Sequence, residues 1–557
     1  MSQQAVLPQL TVKAVVLGVV LSMVLAGANA YLGLFAGLTV SASIPAAVIS
    51  MGLLRLFAQS NILENNIVQT AASAGESLAA GVIFTLPALV ILGYWQVFDY
   101  WWVSVIAGLG GLLGVLFTIP LRRALIVEQE LAFPEGQATA EVLRVGDGGG
   151  SGLKFLAWSG LAGGLIKLAE SGLKLWPGSV AASGYAGGSI AYIGTNLSPA
   201  LLSVGYIVGL NISVLVFAGG VISWHLAIPI YASFFAGADP VIAGMLANGA
   251  DAESVAWQIW TSKIRYLGVG AMLIGGIWAL ISMRGSLVSG IISGLKQTRA
   301  GQEHTQQDTP MPLVLVGVAV LVLPIFILYQ SVVGSLGVGL AMALIMVVAG
   351  FLFSSVAAYM AGLVGSSNNP ISGITIATIL FASLILLALL GPGEVGAPAA
   401  IMIGAVVCCA AAIGGDNMQD LKAGYLLGAT PWRQQLMQGV GVLSAVLVMA
   451  PILNLLLKAY GIGAPTEAQP DALLAPQATL MASVARGVFG GDLPWGMIGG
   501  GVAIGAVVIA FDEILKARDA SFRAPVLAVA VGIYLPLELA VPLFAGGPIA
   551  PFSRRHC

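Results

Sequence analysis

The residues able to do chemistry in this chain are few, and they fall in short stretches of otherwise apolar sequence. Glu76 follows Asn65-Asn66 and Ser73-Ala74-Gly75. Glu135, Gln137 and Glu141 lie in Phe133-Pro134-Glu135-Gly136-Gln137-Ala138-Thr139-Ala140-Glu141, and Asp416, Gln419, Asp420 and Lys422 in Gly415-Asp416-Asn417-Met418-Gln419-Asp420-Leu421-Lys422. A carboxyl held out of water can carry a proton across, so Glu76 and Glu135 are the expected proton-coupling groups. Gln137, Glu141 and Arg144 recur at i, i+4 and i+7 and share one face; turned to a cavity it would offer acceptors to a ligand ammonium, turned outward it floats at the headgroups. Asp416 and Asp420 share a face too, and Lys422 adds a cation. Both signs of charge suit a zwitterionic, peptide-like solute better than a simple ion. Asn66 completes this expected substrate-binding set.

Each group has a structural reading as well. Ser73 and Glu76 have capping-box spacing, Pro134 and Glu135 suit a first helical turn, and Asp416 with Gln419 fits an Asp-capped helix. The Asp416-to-Asp420 spacing is also that of one magnesium-binding cluster in prenyl-transferring membrane enzymes. Such a site needs a second acidic cluster; the first half offers only well-spaced glutamates, and no His-Glu-x-x-His pattern occurs. An enzyme is therefore the weakest alternative, and a channel or lipid-moving protein is the other.

The elements that must position these groups are organised around Gly365-Ser366-Ser367-Asn368-Asn369-Pro370-Ile371-Ser372-Gly373-Ile374-Thr375, polar and turn-forming inside sequence apolar enough to cross a bilayer. Hydrocarbon offers no water to loose backbone groups, so such a break survives only buried in protein or lining a wet cavity. Asn369 is a good N-cap and Pro370 suits the first helical position, so the sequence predicts a helix from Ile371 to Leu390 that starts within the membrane. Its N-terminus, with Asn369, Pro370, Ser372 and Gly373, would present N–H groups to an anionic ligand. The plainer reading is a Pro-Gly kink that neighbouring helices repair.

Apolar residues make up 58% of the 557, charged residues 8%, and the mean hydropathy is +0.97, against roughly 25% charged in an average soluble domain. The expected fold class is all-α: a polytopic integral membrane protein of about 16 helices, with discontinuous or re-entrant segments, at about 20 residues per span. A net charge of −2 points to no nucleic acid. Cys408 and Cys409 are adjacent and Cys557 is terminal, which is neither disulfide nor metal-site spacing, so no resident cofactor is expected. The 73 glycines predict close helix packing through faces such as Gly110 with Gly114 and Gly160 with Gly164.

Residues 296–310, rich in Gln, Thr and charge, read as a cytoplasmic linker between an N-terminal transmembrane half, 1–295, and a C-terminal half, 311–557. Asn65-Asn66 and the Pro134 segment parallel Asn368-Asn369 and the Asp416 segment in order, as in duplicated transporter folds. Basic residues at Arg122-Arg123, at Arg284 with Lys296 and Arg299, at Lys516 with Arg518 and Arg523, and at Arg554-Arg555 place these loops and both termini in the cytoplasm. The N-terminus reads as a retained first helix. Residues 183–197 read as an extended loop of open role, residues 461–492 as an external loop, and His225 as hydrogen-bonded structure or, less simply, a proton relay.

Three segments together resemble the oligopeptide transporter family, OPT, which includes the yellow stripe-like metal-chelate carriers. They are Phe133-Pro134-Glu135-Gly136 on to Glu141-Val142-Leu143, Ser367-Asn368-Asn369-Pro370-Ile371-Ser372-Gly373-Ile374-Thr375, and Gly414-Gly415-Asp416-Asn417-Met418-Gln419-Asp420-Leu421-Lys422-Ala423-Gly424-Tyr425 through Gly428-Ala429-Thr430-Pro431. The similarity extends over almost the whole chain, and its compact loops look like the bacterial branch. The resemblance implies a carrier in the cytoplasmic (inner) membrane that brings small peptides, glutathione-like compounds or metal chelates in with protons, any metal arriving as part of the cargo. The expected function is proton-coupled symport by alternating access, with a small peptide or metal chelate, protons and the lipid bilayer as partners and a homodimer left open.

Overall fold

In the computed structural model every residue is described except 1–6, 37–38, 40, 58–59, 149–150, 297–302, 367–368, 370, 394, 464–471, 474, 491–492, 521 and 555–557. The molecule is helical throughout, and ten helices among the described residues are long and apolar enough to cross a membrane. Shorter apolar helices, such as Ser43–Leu54, supply the discontinuous pieces. The all-α, polytopic class expected from composition therefore holds. Among the described residues the one departure that forms a ladder is an antiparallel hairpin, Ser179–Ala186 with Ser189–Asn196, where the sequence predicts only an extended loop. Gly187 and Gly188 turn it with φ of +56° and +88°, values that a residue with a Cβ rarely adopts.

The chain forms two compact units, each drawing on both sides of the 296–310 segment. Unit 1 is Met1–Leu153 with Ser282–Leu493; unit 2 is Lys154–Ile281 with Pro494–Cys557. In unit 2 the hairpin packs on buried aromatic residues: the Tyr192 ring lies 4.6 Å from Trp224, which in turn stacks on Trp260. Arg265 is held over the Trp260 and Tyr534 rings at 5.0 and 4.5 Å. His225 is exposed on the segment Ile222–Ala227.

Unit 1 is built around the helix Gly396–Leu427, whose apolar window is buried throughout. Its neighbours approach closely because they present glycine. A Cβ on Gly110 would lie 2.7 Å from the Cys409 Cβ, and one on Gly114 2.7 Å from the Ala410 oxygen, so the expected Gly110–Gly114 face is real. Gly160 and Gly164 face open space, and the second expected face is not used.

Two helix starts differ from expectation. Gly396–Leu427 runs unbroken through Gly414-Gly415-Asp416, so Asp416 is an interior residue and caps nothing. The helix Ile62–Ile83 is capped by Asn61, which accepts from the Leu63 and Glu64 N–H groups while Glu64 reaches back to the Asn61 N–H. Ser73 and Glu76 are interior, as are Asn65 and Asn66, whereas Asn369 lies ahead of its helix. Two other starts fall as expected, with helices Pro134–Gly148 and Ile371–Leu390. Residues 461–492 are more than a loop, since Pro476–Gly490 is a helix with Met481 and Ala485 fully buried. Asp308, at the end of the 296–310 segment, receives Arg122 Nε and Nη2 at 2.6 and 2.7 Å and Gln435 Nε2 at 2.7 Å. That segment is thus fastened to unit 1 at its far end.

Candidate functional site

Three helices of unit 1 begin beside the C-terminal half of Gly396–Leu427. The first is Ser43–Leu54. Its leading hydroxyl, Ser43 Oγ, lies 2.8 Å from Asp420 Oδ1 and 3.1 Å from Ser73 Oγ, and the Ala42 N–H donates to Glu76 Oε2 at 3.3 Å. The second is Pro134–Gly148, where Glu135 accepts from the Ser366 hydroxyl and the Gly136 N–H donates to Gln419 Oε1 at 2.8 Å. The third is Ile371–Leu390, preceded by Asn369, whose Nδ2 donates to the Ala357 oxygen at 3.0 Å. A Cβ on Gly415 would sit 2.5 Å from that nitrogen, which places Asn369 against the turn that carries Asp416. The start of Ser43–Leu54 thus turns the positive end of its dipole towards the buried carboxyls of Glu76 and Asp420.

The carboxyls are held by neutral donors. Glu76 accepts from Asn29 Nδ2, and Asp420 from Gln69 Nε2 as well as Ser43. Glu76, Glu135, Asp416 and Asp420 are all buried, and Glu76 is within electrostatic reach of the other three. None of Glu76, Asp416 and Asp420 forms an ion pair with a described Lys or Arg. Lys422, on the same helix, turns its ammonium to the Leu131 oxygen at 2.9 Å and lies 5.9 Å from the Tyr425 ring. Its charge therefore does not meet Asp416 or Asp420.

Several buried polar atoms here have no partner among the described residues: Asn66 Oδ1, Asn369 Oδ1, both amide atoms of Asn417, Asp420 Oδ2 and Gln438 Oε1. Buried polar groups in folded proteins are nearly always hydrogen-bonded, so a concentration of exceptions marks a place where something other than packing sets the residue type. No group of three or more His, Cys, Asp or Glu side chains among the described residues is placed to hold a metal ion.

Of the residues singled out from the sequence, Glu76, Glu135, Asp416, Gln419, Asp420, Asn66 and Asn369 meet in this region, Asn66 through its hydrogen bond to Gln69 at 3.2 Å. Gly373 is buried on the first turn of its helix. Pro370 and the Ser372 side chain lie outside the described residues. Gln137 and Glu141 do share a face, and that face is exposed: Glu141 pairs with Arg144 at 3.6 Å, and Gln137 bonds the Ala132 oxygen at 2.8 Å. Sequence reasoning missed Ser43, Gln69, Ser366, Gln434 and Gln438. Gln434 Nε2 donates to the Asp420 and Thr70 oxygens at 2.9 and 3.2 Å, and Gln438 Nε2 to the Asn417 oxygen at 3.1 Å. Their signal was present, as two glutamines at i and i+4 in a helix long enough to span the bilayer.

A family model described as OPT oligopeptide transporter protein matches residues 9–557. The chain is 36% identical over 554 residues to a putative oligopeptide transporter of Haemophilus influenzae, covering 94% of this chain and 86% of that one. It is 26% identical over 162 residues to a putative oligopeptide transporter of Saccharomyces cerevisiae, covering 26% of this chain and 22% of that one.

Proposed function

The chain belongs to the OPT oligopeptide transporter family and is an integral membrane transporter rather than an enzyme; from that premise we propose that it is a proton-coupled symporter of the cytoplasmic membrane, importing small peptides or peptide-like metal chelates by alternating access. The cargo class follows the descriptions of its relatives as putative oligopeptide transporters. The observation that carries the mechanism is the meeting of three helix starts with Glu76, Glu135, Asp416 and Asp420 beside a helix buried along its apolar window. Discontinuous helices meeting in mid-protein are how membrane carriers expose backbone N–H groups to a solute.

The cargo carboxylate docks at the N-termini of Ser43–Leu54 and Ile371–Leu390, where N–H groups and dipole favour an anion. The cargo amino group meets Asp416 and Asp420. Charges buried without partners cost several kcal/mol each, on the order of the stability of a whole domain when summed. The site therefore calls for protons, a cationic cargo, or both, and Glu76 and Glu135 take the coupling proton from outside. Both termini face the cytoplasm in this scheme, any metal enters inside its chelate rather than as a resident cofactor, and Gln137 and Glu141 stay outside the site.

Uptake of labelled peptides and iron chelates into proteoliposomes, with and without an inward proton gradient, tests the proposal. Gradient-driven accumulation is expected. Uptake indifferent to the gradient removes the symport, and a conductance that never saturates replaces the carrier with a pore.

A further inference from the structure

The unpaired atoms around Asp416 and Asp420 are not an even mixture of donors and acceptors. Asn66 Oδ1, Asn369 Oδ1, Asn417 Oδ1, Asp420 Oδ2 and Gln438 Oε1 can only accept, against two donor-capable atoms, Asn417 Nδ2 and the Ser354 hydroxyl that lies against Gly414. Each belongs to a residue at least nine-tenths buried, with Asn66, Asn417, Gln438 and Asp420 at 1% exposure or less. Oxygens without partners call for donors, and an ammonium brings three donors with a positive charge.

The charge count points the same way. Helix Ile62–Ile83 contributes Glu76, and Gly396–Leu427 contributes Asp416 and Asp420. The cations on these elements and on Pro134–Gly148 are engaged elsewhere: Lys422 with the Leu131 oxygen, and Arg144 with the Leu426 oxygen and Glu141. The remaining acid of Ile62–Ile83, Glu64, pairs with Lys13 at 3.1 Å at the other end of its helix. Ser43–Leu54 and Ile371–Leu390 bring no titratable side chain.

We propose that this site fixes the total positive charge it accepts rather than the number of protons, so that each additional ammonium on the cargo takes the place of one co-transported proton. Peptides with a basic side chain are then the preferred cargo when the proton gradient is weak, because they bring their own neutralising charge to Asp416 and Asp420. This inference rests on the proton-symport reading above and narrows its substrate class to cationic peptides.

The test uses the full chain in proteoliposomes and two probes, trialanine and lysyl-dialanine, with proton entry read by an internal pH dye and peptide entry by radiolabel. The expected result is that lysyl-dialanine enters with about one proton fewer per molecule than trialanine, while the charge moved per peptide is the same for both. Gradient-driven entry of both peptides with equal proton counts overturns the inference and leaves the symport intact. Entry of both without regard to the gradient, or of neither, overturns the symport reading and the inference with it. In Asp420→Asn, about a tenfold greater loss for lysyl-dialanine than for trialanine is expected. An equal loss for the two, in a variant that keeps the parent's elution profile and melting temperature, removes Asp420 as the residue that reads the extra charge.

Discussion

Ser43 and Asp420 are 377 positions apart in sequence and share a hydrogen bond of 2.8 Å that joins the start of a short helix to the interior of a long one. Asp420 is fully buried, and its second oxygen has no partner among the described residues. A hydrogen bond to a charged group contributes about 1.5–3 kcal/mol. Ser43→Ala should raise the half-saturating peptide concentration about tenfold or more, with little change in the amount of folded protein; an unchanged uptake curve would separate Ser43 from the cargo site.

Glu76 and Glu135 bond different segments, Glu76 the Ala42 N–H just ahead of Ser43–Leu54 and Glu135 the Ser366 hydroxyl between Leu336–Val364 and Ile371–Leu390. Their amide variants, Glu76→Gln and Glu135→Gln, keep size and one acceptor oxygen but cannot shuttle a proton. Proton-driven accumulation should disappear in at least one of them, while exchange of labelled for unlabelled peptide across the same membrane persists. If both variants accumulate cargo as well as the parent does, neither residue bears the coupling proton.

Asn369 and Asp416 are buried beside one another's helices, and alternating access requires that water reach them from one side at a time. In a background lacking Cys408, Cys409 and Cys557, Asn369→Cys should react with a membrane-impermeant thiol reagent from one face, and peptide binding should alter the rate. A cysteine silent from both faces in every condition returns the region to ordinary packing.

Gly110 and Gly114 face carbonyl oxygens and side chains of the central helix at distances no Cβ tolerates. Overpacking a core position costs about 1–3 kcal/mol. Gly110→Ala should therefore lower the melting temperature in detergent by several degrees, whereas Gly160→Ala, where nothing lies within 4 Å, should leave it unchanged or slightly higher.

Arg122 is 4% exposed along its side chain, and Asp308 is its only ion-pair partner among the described residues. Removing one member of a buried pair costs about 3–5 kcal/mol. Asp308→Ala should destabilise unit 1 by about that much, read from thermal unfolding, and the loss should be smaller in the double variant Asp308→Ala with Arg122→Met, which leaves no orphaned charge.

Much of the fold was legible because turn chemistry is local. Pro134 and the Asn369-Pro370 pair announce the helices that follow them, and the apolar runs announce the spans. Asp416 was misread for the opposite reason. Gly414-Gly415-Asp416 has the composition of a cap, yet the helix continues because the glycines admit Asn369 and Ser354 against its backbone, a gain that only the folded neighbours disclose. The capping box of the second span was misplaced by twelve positions, with Asn61 and Glu64 displaying the pattern as clearly as Ser73 and Glu76. Lys422 illustrates a further limit. Sequence proximity put its charge beside Asp420, but two residues along a helix turn a side chain through about 200°, to the opposite side, and the ammonium goes to Leu131 instead.

Gln419 donates to the Ala361 oxygen at 2.7 Å with one arm and accepts from the Gly136 N–H at 2.8 Å with the other, so a single amide is bolted to the tail of one helix and the head of another. Neither end can slide without tugging its counterpart. A rearrangement that breaks the Gln419 bond at the start of Pro134–Gly148 is therefore coupled to the end of Leu336–Val364, and the two elements move together.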